Sequence, residues 1–444
     1  MKLCDFESDY EIPNNWVWCN LGLLFNHNTG KALNSASSEG KALTYITTSN
    51  VYWNRFELND LKSMPFTDSE IEKCTIKKGD LLVCEGGDIG RAAIWNFDNE
   101  IRIQNHLHRL RAYDYIQTAF YYYVLYAFKL SGKISGNGIG LQGLSSNALH
   151  NIIVPVPPIE EQKNIVMSIE KLMLSIDNIE SHKNILAICI ENTKAKILEL
   201  AIRGKLVPQD PNDEPASVLL EHIRAEKEEL IRQGKIKRDK KESVIFKGDD
   251  NSYYRLTADN KSNIIDIPFD ISDNWVWCNL SMIGSTNIGL TYKPTDIVTN
   301  GTMVLRSSNI INGKIDLTDL VRVNSTIREN QYIQENDILI CARNGSKALV
   351  GKCAIYENAN EKASFGAFMA VYRSRFFRYV YYFLNSEFFR NTFSNDDSKQ
   401  INQLTQDMIK NTTIPLPPFT EQKRIVDAIE TAFLQLDEIA NDIS

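Results

Sequence analysis

Between residues 165 and 200, apolar residues recur in alternating steps of four and three. They are Ile165, Ile169, Leu172, Ile176 and Ile179, then Leu186, Ile190, Ile197 and Leu200, with Lys183 and Thr193 breaking the run. The spacing returns at Ile425, Ile429, Ala432, Leu436, Ile439 and Ile443. Such a pattern puts one narrow apolar stripe on a helix, the seam of a coiled coil. At about 1.5 Å per residue the first helix is roughly 60 Å long, and the second is shorter. Each helix starts after a proline pair, Pro157-Pro158 and Pro417-Pro418, where the missing N–H costs nothing. Glu160, Glu161 and Gln162 follow in one copy and Glu421 and Gln422 in the other, and carboxylates suit that end of the helix dipole. An antiparallel pairing of the two helices is expected.

Elsewhere the pattern shortens. Residues 42–47 and 80–84 read as short strands bounded by turn residues, and so do residues 303–309 and 337–341. Phe120, Tyr123, Val124 and Ala127 stand at helical spacing within residues 119–130, and a matching helix is expected near residues 377–389. Residues 216–233 read as a charged amphipathic helix, followed by a basic run at residues 235–241 that reads as solvated linker, with phosphate contact as the lesser alternative.

These patterns belong to a duplication. Asn15-Trp16-Val17-Trp18-Cys19-Asn20-Leu21 returns as Asn274-Trp275-Val276-Trp277-Cys278-Asn279-Leu280. Val154-Pro155-Val156-Pro157-Pro158, with Glu161-Gln162-Lys163, returns as Ile414-Pro415-Leu416-Pro417-Pro418, with Glu421-Gln422-Lys423. The shift is about 260 residues, far longer than a solenoid period. Each unit is therefore a whole domain plus a helix. The expected fold is α+β: two similar globular domains, 1–153 and 267–413, separated by long helices in an antiparallel coiled coil with approximate two-fold symmetry. The helices are placed at 154–206 and 414–444, and a charged linker at 207–266.

Composition narrows the class without deciding it. The 444 residues are 43% hydrophobic and 24% charged, as in ordinary globular proteins. No apolar run approaches the roughly 18 residues of a membrane span, and the first residues lack the order of a signal peptide. The eight cysteines include no Cys-x-x-Cys, and Cys19/Cys278 and Cys84/Cys341 match across the repeat as small core residues. A reducing cytoplasm is expected. The net charge of −7 hides two basic stretches. Residues 101–153 carry Arg102, Arg109, Arg111, Lys129 and Lys133 against Asp114, and residues 339–378 carry seven basic residues against Glu357 and Glu361.

Catalytic patterns are missing. Gly138-Ile139-Gly140-Leu141-Gln142-Gly143 fits a dinucleotide fingerprint but follows a loop, and its counterpart lacks the glycines. It reads as a plain surface loop or as one whose backbone approaches a phosphate or a base edge. His106 and His108 put two imidazoles on one strand face, without a third ligand or a counterpart. Glu161-Gln162-Lys163 and its copy echo a nuclease tail, but in a first helical turn they read as capping or as a helix–partner contact. No P-loop, amino-methyltransferase motif or nucleophile triad is present.

The doubled Pro-Pro-x-x-Glu-Gln-Lys helix start resembles the specificity subunit of type I restriction–modification systems. So does the helix end Leu198-Glu199-Leu200-Ala201-Ile202-Arg203-Gly204-Lys205-Leu206-Val207-Pro208. Residues 82–91 and 104–109 resemble that family's target recognition domains, and the likeness covers nearly the whole chain. It implies that each domain reads one half of a split, asymmetric double-stranded DNA target, while the helices set the gap and dock two methyltransferase subunits. S-adenosylmethionine, ATP and Mg2+ would then be bound by partner subunits, including the motor–nuclease subunits, with no cofactor, metal or catalytic residue in this chain.

Loop position and side-chain type select the DNA-contact candidates: Asn50, Arg91, Asn137, Gln142, Arg306, Asn309, Arg343, Asn344, Ser346, Lys347, Lys399 and Gln403. The helix contacts expected for coiled coil and partners are Glu161, Gln162, Ile165, Ile169, Leu172, Ile176, Ile179, Glu421, Gln422, Ile425, Ile429, Leu436 and Ile439. Two other classes stay open on the residues alone: a scaffold for two protein partners that binds no DNA, and a self-sufficient methyltransferase or nuclease with unrecognised motifs.

Overall fold

The computed structural model describes residues 11–33, 39–134, 143–238, 243–257, 261–357, 361–392 and 403–443. The chain divides into two compact units, residues 1–180 and 181–444. The long helix Ile159–Ile202 runs through the division.

In the first unit, Val17–Asn20 pairs antiparallel with Ile153–Val156, so the Trp-Val-Trp strand and the strand before the proline pair close one ring of chain. Between them lie two four-stranded sheets. One orders Lys62–Phe66, Lys41–Ile46, Ile101–Ile103 and Thr75–Ile76, with a parallel pair at its centre. The other orders Phe25–Thr29, Leu107–Ala112, Leu81–Cys84 and Ala92–Ile94, all antiparallel.

Leu81–Cys84 explains why this stretch reads as an unbroken apolar run. Leu81 and Val83 enter a core with Tyr121 and Leu125 of the helix Thr118–Leu130, while Leu82 and Cys84 enter a second core with Tyr45, Phe66 and Trp95. A strand buried on both faces has no polar face to show. Just before it, Asp80 is buried and takes both ends of the Arg111 fork at 2.7 Å. An ionised side chain can sit there because a charged partner and hydrogen bonds replace its water.

The second unit repeats each part. Val276–Asn279 pairs with Thr413–Leu416, and the sheets order Val321–Val323, Ile297–Leu305, Ala363–Phe365, Tyr332–Ile333 and Ser285–Ile288, Met369–Arg373, Ile338–Cys341, Cys353–Ile355. Asp337 holds Arg373 at 2.6 Å as Asp80 holds Arg111. The helix expected near residues 377–389 is two, Phe377–Leu384 and Glu387–Thr392, because the Ser386 hydroxyl accepts from the Phe389 N–H and starts a new turn.

The segment 207–266 carries a small sheet as well as the expected amphipathic helix. The helix Ala216–Arg232 buries Leu220 and Ile223 in the second unit's core. Ser243–Lys247, Tyr253–Thr257 and Ser262–Ile265 form a three-stranded antiparallel sheet, tied to the repeat by an Asn279 amide donating to the Ser243 hydroxyl at 2.8 Å.

The long helix ends at Gly204, whose φ of +66° continues into the Lys205 N–H bonding back to the Leu200 carbonyl. That left-handed turn favours glycine, and a side chain here would also press on the Trp275 ring. On both sides of this turn the chain meets the second helix, Phe419–Asp442. Lys194 pairs with Asp437 at 2.6 Å, Leu198 and Ile202 share a core with Ile425 and Ile429, and Asp213 holds Arg424 at 2.6 Å. Rising numbers on one helix meet falling numbers on the other, so the pair is antiparallel, as expected. The pairing uses only the last third of the long helix. Leu172, Ile176, Ile179 and Leu186 are exposed.

Candidate nucleic-acid interface

The doubly buried strand of each domain delivers a loop to the surface, and the two loops are closed identically. In the first domain the Gly90 N–H donates to the Cys84 carbonyl and the Cys84 N–H to the Arg91 carbonyl. In the second, the Gly351 N–H donates to the Cys341 carbonyl and the Cys341 N–H to the Lys352 carbonyl. Gly90 and Gly351 both have left-handed φ, +80° and +87°, which glycine adopts without strain. Inside this shared bracket lie residues 85–89 in one domain and 342–350 in the other.

The residues around the bracket sort into braces and free groups. Arg91 donates to the Thr48 carbonyl at 2.7 Å and lies over Tyr52, and Lys352 reaches the Ser307 carbonyl at the same place. Arg91 is thus a brace of the scaffold. Asn50 and Asn309 leave the candidate set. Each closes a tight turn, accepting from the Thr47 or Arg306 N–H and donating to the Glu57 carbonyl or to the Asp316 and Asp319 carbonyls. Asn309 is 1% exposed, so no base edge can reach it. Arg306 is paired with Asp319 at 2.8 Å. Asn344 folds its own loop, accepting from the Ser346 N–H and donating to Ser307. Arg343, Ser346 and Lys347 are exposed on the second loop, and Gln403 bridges to Arg343 through the backbone. Asn137, Gln142 and Lys399 lie outside the described residues, as does most of the glycine-rich stretch.

Several side chains of the basic stretches are held within the fold. Arg109 is buried and donates to the Lys73 and Thr75 carbonyls, Arg111 holds Asp80, and Lys129 pairs with Asp88. In the second domain Arg373, Arg375 and Arg378 pair with Asp337, Glu226 and Glu430. These charges hold the fold rather than forming an open basic face.

His106 and His108 do not share a site. His106 faces Glu85 at 3.2 Å. His108 points inward and starts a chain of imidazoles: its Nε2 meets the Leu144 carbonyl at 2.7 Å, its Nδ1 the His27 Nε2 at 2.9 Å, and the His27 Nδ1 the His150 Nε2 at 2.7 Å. A carbonyl only accepts, so His108 carries a proton on Nε2, and with His108 neutral its Nδ1 accepts from the His27 Nε2–H. Burial foremost, then His108, His150 and Arg109, hold the His27 pKa down at about 4. No group of metal-ligating side chains occurs among the described residues.

At the helix starts, Gln162 and Gln422 turn inward and donate to the Pro157 and Pro417 carbonyls, which fixes the proline corner and removes both from any partner surface. Glu421 is buried too, accepting from the Trp275 indole at 3.0 Å and from Gln209, and burial pushes its carboxyl up. It is a cross-link, not a helix cap. Glu161 stays partly exposed and accepts from Asn15. Ile165 packs on its own domain and Ile169 is half-buried. Ile425 and Ile429 are buried in the helix pair, Leu436 is half-buried and Ile439 exposed.

One residue escaped the sequence reading. Phe368 is 60% exposed at the turn before Met369–Arg373, and its ring lies 5.4 Å from the Arg343 guanidinium carbon. The available signal was its alignment with His106 in the repeat.

Comparison with known proteins agrees with this doubled architecture. Residues 13–187 and 275–444 match the family described as the type I restriction modification DNA specificity domain. The EcoAI specificity subunit of Escherichia coli is 25% identical over 97% of this chain and 79% of its own length. The EcoKI specificity subunit of E. coli K12 is 33% identical over 38% of each chain. In fold, the HsdS subunit from Thermoanaerobacter tengcongensis superposes with a TM-score of 0.60 at 17% identity, covering 99% of this chain and 94% of that one. The chain therefore belongs to the type I restriction–modification specificity family, as the subunit that recognises the DNA target and not as a catalytic one.

Proposed function

We propose that each domain reads one half of a split, non-palindromic DNA target, and that the helices fix the gap and dock two modification subunits. One observation carries this reading. The same scaffold is built twice, down to the buried Asp–Arg pair and the glycine that closes the loop, while the loop inside the bracket changes in length and chemistry. Two readers on one frame suit two different half-sites. Half-sites read from one face of the duplex lie about one helical turn apart, roughly 34 Å or a multiple, and a helix of several tens of ångströms is a fitting spacer. The exposed seam at Leu172, Ile176 and Ile179 favours docking of partner helices there. Methyl transfer from S-adenosylmethionine and ATP- and Mg2+-driven translocation and cleavage would belong to modification and motor–nuclease partners in the cytoplasm.

The test is an exchange of residues 267–413 for those of a relative, followed by mapping of methylated bases in cells that carry the partner subunits. Half of the motif changes and the other half stays. An unchanged motif refutes the reading. A chain that, with its partners, shows no salt-sensitive duplex binding would be a protein scaffold instead.

A further inference from the structure

The turn that leads into the strand paired with each doubly buried strand occupies one topological position in both domains. The Glu85 N–H donates to the His106 carbonyl in the first domain, and the Ala342 and Arg343 N–H groups donate to the Phe368 carbonyl in the second. The Leu144 N–H then donates to the Glu85 carbonyl, as the Leu404 N–H does to the Ala342 carbonyl. The backbones match, but the side chains are opposite in character. One domain presents a carboxylate beside an imidazole, Glu85 and His106 at 3.2 Å. The other presents a guanidinium beside a phenyl ring, Arg343 and Phe368 at 5.4 Å.

Arg343 differs from Arg306, Arg322, Arg373, Arg375 and Arg378 of its domain, whose charges are matched by carboxylates. It is exposed, and among the described residues no carboxylate lies within ion-pair distance of it. An exposed arginine resting on an exposed ring is partly ordered before any ligand arrives, so less side-chain freedom remains to be lost on contact. Its planar fork matches two acceptors side by side, which the guanine O6 and N7 present in the major groove. In the first domain the carboxylate of Glu85, one residue nearer its strand than Arg343 is to its own, would instead accept from an exocyclic amino group, as cytosine offers. We propose that Arg343, steadied by Phe368, reads a guanine in the half-site of the second domain, and that this turn is where the two domains set opposite hydrogen-bonding demands.

The proposal rests on the split-target reading, and the experiment separates the two. The full chain is expressed with its modification subunits, and methylated motifs are mapped for the unaltered protein, Arg343→Gln and Phe368→Leu. Expected is a split motif for the unaltered chain, with one guanine in the second half that Arg343→Gln no longer demands. Discrimination at that base should fall roughly 5- to 150-fold. Phe368→Leu weakens discrimination at the same base. The first half, read by the untouched domain in the same molecule, stays intact and reports that the variants are folded and assembled. A retained guanine in Arg343→Gln overturns the proposal, as does an equal loss for all second-half sequences, the signature of a phosphate contact. If the unaltered complex has no split motif, the functional reading itself fails.

Discussion

Acidification should loosen the first domain and spare the second, and His27 is the reason. Its imidazole, half-buried between two others, is held at about 4 against an ordinary 6.5. An unfolded chain takes up a proton below 6.5, whereas the folded domain resists until about 4. Stability is therefore complete above 6.5, falls through that window and levels off below it. At 1.36 kcal/mol per pH unit the full loss is roughly 3 kcal/mol, and at pH 5 it is about 2. Partial exposure of the ring lowers this to about 1–2 kcal/mol. Hydrogen exchange on the full chain, with rates normalised to unstructured peptides at each pH, gives the opening free energy strand by strand. Phe25–Thr29 and Leu107–Ala112 should lose that amount between pH 7.5 and 5. Ser285–Ile288 is the internal control, since Thr286 stands where His27 does and Ala370 where His108 does. In His27→Gln most of the acid-dependent loss disappears, the remainder belonging to His108, whose imidazole burial also holds below its ordinary value. An equal loss in both domains, or an undiminished loss in the variant, would refute the reasoning.

Two further outcomes follow from the helices. Ile425→Ala removes a fully buried side chain where the second helix meets Leu198 and Ile202, and should cost about 3 kcal/mol, measured as lost exchange protection over Phe419–Asp442. Ile176→Glu, on the exposed stretch of the long helix, should change the stability of the isolated chain by less than about 0.5 kcal/mol yet abolish co-purification of modification subunits. A melting loss as large as that of Ile425→Ala would show that the stripe is already covered.

The elements that were legible in the sequence are those whose burial leaves a period. The heptad stripe marked both helices, and Leu81–Cys84 was marked by being apolar on both faces. The sheet of residues 243–265 went unseen because its strands are short and largely half-exposed, with little alternation to read. The candidate site was less legible because the same side chain can read a base or close a turn. Asn50 and Asn309 carried a signal that pointed the other way: Thr48-Ser49-Asn50 and Ser307-Ser308-Asn309 agree across the repeat, and agreement marks frame. The basic stretches misled because their neutralising partners are far off in the chain, as Glu226 is from Arg375 and Glu430 from Arg378. Phe368 was hidden by its type, since an apolar residue beside a strand is ordinarily core.

The uncovered stripe on the long helix also bears on how much of this protein a cell can keep. From Leu172 to Ile188 it extends roughly 25 Å at 1.5 Å per residue, with large aliphatic side chains in water. Any molecule that covers it stabilises the native chain by mass action, in proportion to its concentration over its dissociation constant. Chains made in excess of that molecule carry a sticky edge that invites self-association and proteolysis. The abundance of the specificity subunit would then follow the supply of its partners, and its target choice would enter the cell only when there is machinery present to act on it.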